Sequence, residues 1–129
     1  MNEKDVPILV VDDEPDMCWI LETIIHKEGF SSKRALSAMD AIALTENNKF
    51  VMAFLDAKLP DIDGLELARR LRKADATLPI VIVSGYFYQD DQTIEAALQT
   101  GLIIAFVGKP FDHDAIVNVI SHYVSRQAG

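Results

Sequence analysis

Phe50-Val51-Met52-Ala53-Phe54-Leu55-Asp56-Ala57-Lys58-Leu59-Pro60-Asp61-Ile62-Asp63-Gly64 is the stretch that decides the fold. Its apolar opening reads as a buried strand, and the run stops at one carboxylate, Asp56, followed by proline and glycine turn residues. A carboxylate at the mouth of a buried strand is partly desolvated, which is costly unless a cation or hydrogen-bond donors meet it. Taken alone, Asp56 reads equally well as a helix cap or turn residue.

Working outward, Val6-Pro7-Ile8-Leu9-Val10-Val11 is a second continuous apolar run of the kind parallel strands show, and it ends in Asp12-Asp13-Glu14. Pro15 suits the first turn of a helix whose apolar positions Met17, Ile20, Leu21, Ile24 and Ile25 recur at helical spacing, and Gly29 closes it. Trp19 lies beside that stripe and is expected to pack inward. Residues 31–36 predict a weaker, more polar strand at a sheet edge, and Ser37 caps a helix running to about Asn47.

Beyond Gly64, the leucines of Leu65-Glu66-Leu67-Ala68-Arg69-Arg70-Leu71-Arg72-Lys73 form one stripe, and the basic run at its end predicts a solvated helix face. Leu78-Pro79-Ile80-Val81-Ile82-Val83 is a fourth buried strand, broken by Ser84-Gly85. A helix follows with Ile94, Ala97 and Leu98 on one face, ended by Gly101. Residues 102–107 predict the fifth strand, stopped by Gly108-Lys109-Pro110. Asp112 or Asp114 caps a last helix with Ile116, Val119, Ile120 and Tyr123 inward. Strand and helix alternate five times, which predicts an α/β fold: a doubly wound parallel sheet with right-handed crossovers and helices on both faces.

At 129 residues, half of them apolar, the expectation is one domain over residues 1–129, with an ordered core from about 5 to 124 and a short C-terminal tail. Twelve basic against twenty acidic side chains give a net charge of -8, so direct nucleic-acid binding is not expected. The single cysteine, Cys18, excludes an internal disulfide or a cysteine-based metal site. His26, His113 and His122 lack metal spacing and read as surface residues. A charged start and the lack of a long apolar run predict a cytoplasmic protein with no membrane partner.

In a parallel sheet every carboxyl strand end lies on one edge, where ligands collect. That edge is predicted to carry Asp12 and Asp13 from strand one, Asp56 from strand three, Ser84 from strand four and Lys109 from strand five. Carboxylates about 5 Å apart repel by roughly 3 kcal/mol per pair at an effective dielectric of about 20, so they need a cation. With oxygen ligands alone on offer, Mg2+ (or Mn2+) fits better than zinc. A cation there makes a phosphoryl group welcome, Ser84 offers it a hydroxyl and Lys109 an ammonium, and Asp56 is left as the nucleophile. Gly85 leaves space for the incoming group. Each feature alone has an ordinary reading: Asp12-Asp13-Glu14 as a helix start, Ser84 as a turn hydroxyl, Lys109 as a solvated cation.

Together, Asp12-Asp13, Asp56 with Pro60 and Asp63-Gly64, Ser84-Gly85 and Lys109-Pro110, each at the end of its own strand, resemble the receiver domain of two-component response regulators over essentially the whole chain. The resemblance implies a flavodoxin-like fold with strand order 2-1-3-4-5. It implies a sensor histidine kinase or phosphotransfer protein that phosphorylates Asp56, and Mg2+ held by Asp13, Asp56 and the Lys58 backbone carbonyl, with Asp12 acting through a metal-bound water. It further implies a cis Lys109-Pro110 bond and an aromatic switch residue, here Phe106, which follows Ser84 as the hydroxyl is drawn to the phosphoryl group. Helix four, strand five and helix five would then present a surface to a downstream effector or a homodimer partner, with no enzymatic activity beyond the chain's own phosphoryl transfer and slow autodephosphorylation.

From Gly101 to Lys109 the chain is one residue longer than the family's usual pattern. Leu102-Ile103-Ile104 is apolar where the family commonly carries small or acidic residues, which suggests a partner or dimer surface. Lys58 and Tyr86, each two residues beyond a site residue, are expected to overhang the phosphoryl group and set its lifetime. Three alternatives compete. A small aspartyl-phosphate phosphatase would commonly carry a second Asp where Lys58 stands. A flavin-binding module sits poorly with the acidic Asp12-Asp13 edge, and a docking module that needs no phosphorylation leaves the intact chemistry unused.

Overall fold

The computed structural model describes residues 5–85 and 92–128, apart from the side chains of residues 125–128. Five strands, β1 (Ile8–Val11), β2 (Ser32–Ala35), β3 (Met52–Asp56), β4 (Ile80–Ser84) and β5 (Ala105–Gly108), alternate with five helices. These are α1 (Pro15–Lys27), α2 (Ala38–Asn47), α3 (Gly64–Ala74), α4 (Gln92–Thr100) and α5 (His113–Ala128). All strand pairs are parallel, in the order β2-β1-β3-β4-β5, the doubly wound flavodoxin-like arrangement.

The apolar runs form strands because both faces of the sheet are covered, so no position along them has to be polar. Side chains alternate between two cores. Leu9, Val11, Ala53, Leu55, Ile80 and Ile82 pack toward α2, α3 and α4. Ile8, Val10, Met52, Phe54, Val81 and Val83 pack toward α1 and α5. The edge strand β2 is polar and largely exposed, as its composition predicts.

Helix ends follow local chemistry. Pro15 occupies the first turn of α1, Ser37 Oγ accepts the Asp40 N–H at the start of α2, and Asp63 accepts the Glu66 N–H at the start of α3. Gly29 and Gly101 take positive φ values of 91° and 81° just past α1 and α4, which lets the chain turn out of each helix. At α5 the cap position falls to Asp112, whose carbonyl accepts the Ala115 N–H, while Asp114 lies inside the first turn.

Several expectations need correction. β5 begins at Ala105, three residues later than the apolar run suggests. Ile103 is a core residue in the connection, its N–H bonded to the Ala97 carbonyl, so 102–104 is not an apolar surface segment: only Leu102 and Ile104 are half exposed. Trp19 is 63% exposed rather than packed inward, Ile20 is exposed although it was expected on the inward stripe with Leu21, Ile24 and Ile25, and Leu98 is exposed while Ile94 and Ala97 are buried. Each sits one helical step, about 100°, from a buried neighbour, enough to turn it outward.

Arg72 also departs from the solvated face predicted for its run. Its guanidinium donates to the carbonyls of Asp75, Ala76 and Leu78 through Nη1 and of Leu102 through Nη2, at 2.6–3.4 Å. One side chain thus ties the end of α3 to the strand entrances of β4 and β5. Burial holds its pKa below the usual guanidinium value. Arg69 and Arg70 remain exposed beside Glu66.

Candidate functional site

β1 and β3 are adjacent in the sheet, with Val11 opposite Leu55, so their next residues, Asp12 and Asp56, emerge side by side at the carboxyl edge. Asp12 is 1% exposed and Asp56 8%, whereas Asp13 faces solvent. One carboxylate oxygen from each of the three lies within 4.8 Å of the others. Lys109, carried in at the end of β5, donates to Asp12 Oδ2 at 2.8 Å and lies 3.7 Å from Asp56 Oδ1. Its backbone N–H donates to the Ser84 carbonyl at 2.7 Å, and the Lys109-Pro110 bond is cis.

Asp12 Oδ1 also accepts the Glu14 N–H at 2.9 Å, so this carboxylate both starts α1 and anchors the lysine. Asp56 Oδ1 accepts the Lys58 N–H at 3.3 Å. Asp13, Glu14, Asp56, Lys58, Gly85 and Lys109 line an open cleft of about 450 Å³. Another cleft of about 440 Å³ lies beside Asn48, Asp75 and Leu78, at the opposite end of the sheet and away from these groups.

Ser84 is 2% exposed, at the end of β4 opposite Gly108. Phe106 is half-buried opposite Ile82, so the alternation of side chains puts Ser84 and Phe106 on the same face, two residues apart in register. Tyr86 lies outside the described residues. His26, His113 and His122 are all exposed.

Burial and neighbouring like charges both act against ionisation of Asp56. Burial pushes the Asp56 carboxyl up to about 6; Lys109 opposes this, and Asp12 and Asp13 add to it. Burial pulls the Lys109 ammonium down, but its hydrogen bond to Asp12 and the charges of Asp12 and Asp56 outweigh that and leave it above its ordinary value. Beneath the site, Cys18 Sγ sits 3.4 Å from the Asp12 carbonyl, and its thiol is pushed up to about 11, by burial first and the Asp12 charge second.

Two residues of the β3–α3 connection shape this edge of the site further. Gly64 returns so close to β3 that an added Cβ would lie 2.2 Å from the Asp56 carbonyl oxygen, and its N–H closes the loop onto the Ala57 carbonyl at 2.8 Å. The Asp63-Gly64 pair was legible, but this close approach was not. Asp61, in the same loop, binds the start of α2 through both carboxylate oxygens.

Carboxylates held together with a lysine at the carboxyl edge of a doubly wound sheet are suited to holding a hard divalent cation beside an anion. The response regulator receiver domain model matches residues 8–121, and the chain belongs to that family. It is 30% identical to sporulation initiation phosphotransferase F of Bacillus subtilis, over 96% of this chain and 95% of that protein. It is 35% identical to the nitrogen assimilation regulatory protein NtrX of Azorhizobium caulinodans, a match covering 85% of this chain but 24% of that longer protein. Among solved structures, the response regulator protein TrrA from Thermotoga maritima, in complex with Mg2+-BeF, superposes with a TM-score of 0.79 at 27% identity. The match covers 92% of this chain and 98% of that one. Among the described residues no helix is long and apolar enough to cross a membrane.

Proposed function

We propose that this chain is a single receiver domain over residues 1–129, with its core at about 5–124, which accepts a phosphoryl group on Asp56 from a sensor histidine kinase or phosphotransfer protein in the cytoplasm. The observation that carries this reading is the meeting of Asp12, Asp13 and Asp56 within 4.8 Å, with the Lys109 ammonium reaching both buried carboxylates.

The donor set fits Mg2+, or Mn2+ in its place: the oxygens are hard, and three carboxylates so close are stable together only beside positive charge. Asp13, Asp56 and the Lys58 backbone carbonyl would hold the ion, with Asp12 acting through water. When bound, it supplies neutralisation of the phosphoryl oxygens during transfer. The relative solved with Mg2+-BeF supports the choice of Mg2+ as the ion.

An oxygen of Asp56 attacks phosphorus as the bond from phosphorus to the donor breaks, leaving an acyl phosphate on the side chain; hydrolysis returns the carboxylate and inorganic phosphate. Lys109 already stands 3.7 Å from Asp56 and needs only a small shift to meet a phosphoryl oxygen. Ser84 donates its hydroxyl to another, and Phe106, on the same face of the sheet, follows it. Lys58, exposed at the cleft, and Tyr86 set the rate of hydrolysis, and Gly85 keeps the entrance open. The displaced residues reshape the surface of α4, β5 and α5 toward an effector or a second copy, a population shift drawn from the new contacts. The activity stops at the chain's own phosphorylation and slow dephosphorylation.

Incubation with acetyl phosphate, with and without Mg2+, followed by intact-mass measurement, tests this. One phosphoryl group is expected on the wild type only when Mg2+ accompanies acetyl phosphate, and none on Asp56→Asn. Equal labelling of Asp56→Asn, or none of the wild type, would overturn it.

A further inference from the structure

Two aspartates of the β3–α3 loop cap two different helices. Asp63 caps α3, the helix it precedes. Asp61 reaches across to α2: its Oδ1 accepts the Ala38 N–H at 3.0 Å and its Oδ2 the Met39 N–H at 2.9 Å. Its own Ile62 N–H closes onto Oδ1 at 3.1 Å. Ser37 Oγ takes the Asp40 N–H, and the Ser37 carbonyl takes the Ala41 N–H. The first turn of α2 therefore satisfies two of its donors locally and borrows Asp61 for two more. These amide bonds hold the Asp61 carboxyl below the usual carboxylate range, as charge-assisted bonds at a helix N-terminus do.

The borrowed cap fixes the loop as well as the helix. Between Asp56 and Gly64 the backbone is tied at its entrance by the Lys58 N–H to Asp56 Oδ1 and at its exit by the Gly64 N–H to the Ala57 carbonyl. Asp61 lies between those two ties and is anchored outside the loop. Leu59 and Ile62 beside it pack against the core, and the Asp61 clamp adds to that non-directional apolar contact a pair of directional bonds.

We infer that Asp61 is a positioning residue for the cation site: by clamping the β3–α3 loop to the first turn of α2, it fixes the direction of the Lys58 backbone carbonyl. This rests on the receiver reading above. It adds a residue that contacts neither cation nor phosphoryl group, and it makes α2 part of the site's support.

The test is Mg2+ titration calorimetry on the full chain at a temperature where every variant is folded, with amide hydrogen exchange of the metal-free forms. Loss of an outer support typically weakens metal binding 10–100-fold, so Asp61→Ala is expected to lose about tenfold in Mg2+ affinity. Asp61→Asn, with one acceptor oxygen instead of two, should lose roughly threefold and serves if the alanine variant folds poorly. Ser37→Ala removes the local cap of α2 and spares the clamp, so it should lower thermal stability while keeping Mg2+ affinity within about twofold. Exchange of the Met39 amide should accelerate in Asp61→Ala without metal. Unchanged Mg2+ affinity in both Asp61 variants, or an equal loss in Ser37→Ala, overturns the inference alone. A wild type that binds no Mg2+ overturns the proposed Mg2+-dependent phosphorylation of Asp56 and this inference together.

Discussion

Replacing Asp56 by asparagine should stabilise the metal-free protein, because the side chain proposed to accept phosphate is held against its own electrostatic preference. In the folded chain its pKa rises from an ordinary 3.8 to about 6, chiefly by burial. A carboxyl whose folded pKa is raised favours folding below its unfolded pKa, and that benefit is lost as pH climbs through the folded value. Above pH 6 the ionised form therefore costs the folded state about 3 kcal/mol, from a rise of about two pH units at 1.36 kcal/mol each. Asparagine keeps the shape and an acceptor for the Lys58 N–H but never ionises. The variant should gain up to about 3 kcal/mol at pH 8, about 10 °C in Tm for a chain of this size, and nothing near pH 4. Urea denaturation at pH 4, 6 and 8 in a chelating buffer measures this. Mg2+ should narrow the gap at pH 8, since it binds and stabilises the wild type more than the variant. A variant no more stable than wild type at pH 8, or a gain independent of pH, would refute the reasoning.

Other consequences can be checked on the same preparations. Gly64→Ala places a methyl group 2.2 Å from the Asp56 carbonyl oxygen, so the loop must move; thermal melting should show a loss of about 2–4 kcal/mol, and calorimetry weaker Mg2+ binding. Arg72→Ala strands the carbonyls of Leu78 and Leu102 and should cost about 2–4 kcal/mol in urea titrations; Arg72→Lys should recover less than half, because one ammonium cannot span both. Cys18, buried and pushed up to about 11, should react with a thiol reagent at pH 8 only at the rate of unfolding; fast labelling of the native protein would contradict its placement.

The sheet and the four conspicuous site residues were legible for one reason. A strand buried on both faces must be apolar throughout, and a parallel sheet puts every strand's exit on one edge, so Asp12, Asp56, Ser84 and Lys109 are marked by being the first polar or charged groups after apolar runs or their glycine. Where a neighbour decides, local pattern failed. The run 102–107 is apolar throughout, but the ladder with β4 begins at Ala105 opposite Val81, after an Ile104 N–H bond to the Ile80 carbonyl, and Ile103 fills the core from the connection. Trp19, Ile20 and Leu98 face solvent beside buried Cys18, Leu21 and Ala97, because a helical residue one step from the buried line faces solvent or core according to what packs against it. Arg72 looked like its neighbours Arg69 and Arg70 because nothing in the sequence says that four carbonyls converge on it.

The amino-acid sequence by itself therefore determined a five-stranded parallel sheet with its polar groups on one edge, since hydrophobic patterning is a local property of each segment. The tertiary structure alone decided that Lys109 binds Asp12 more closely than Asp56, that burial raises the Asp56 pKa, and that Asp61 caps a helix other than its own. Those depend on distances between residues far apart in the chain, and short-range chemistry carries no record of such distances.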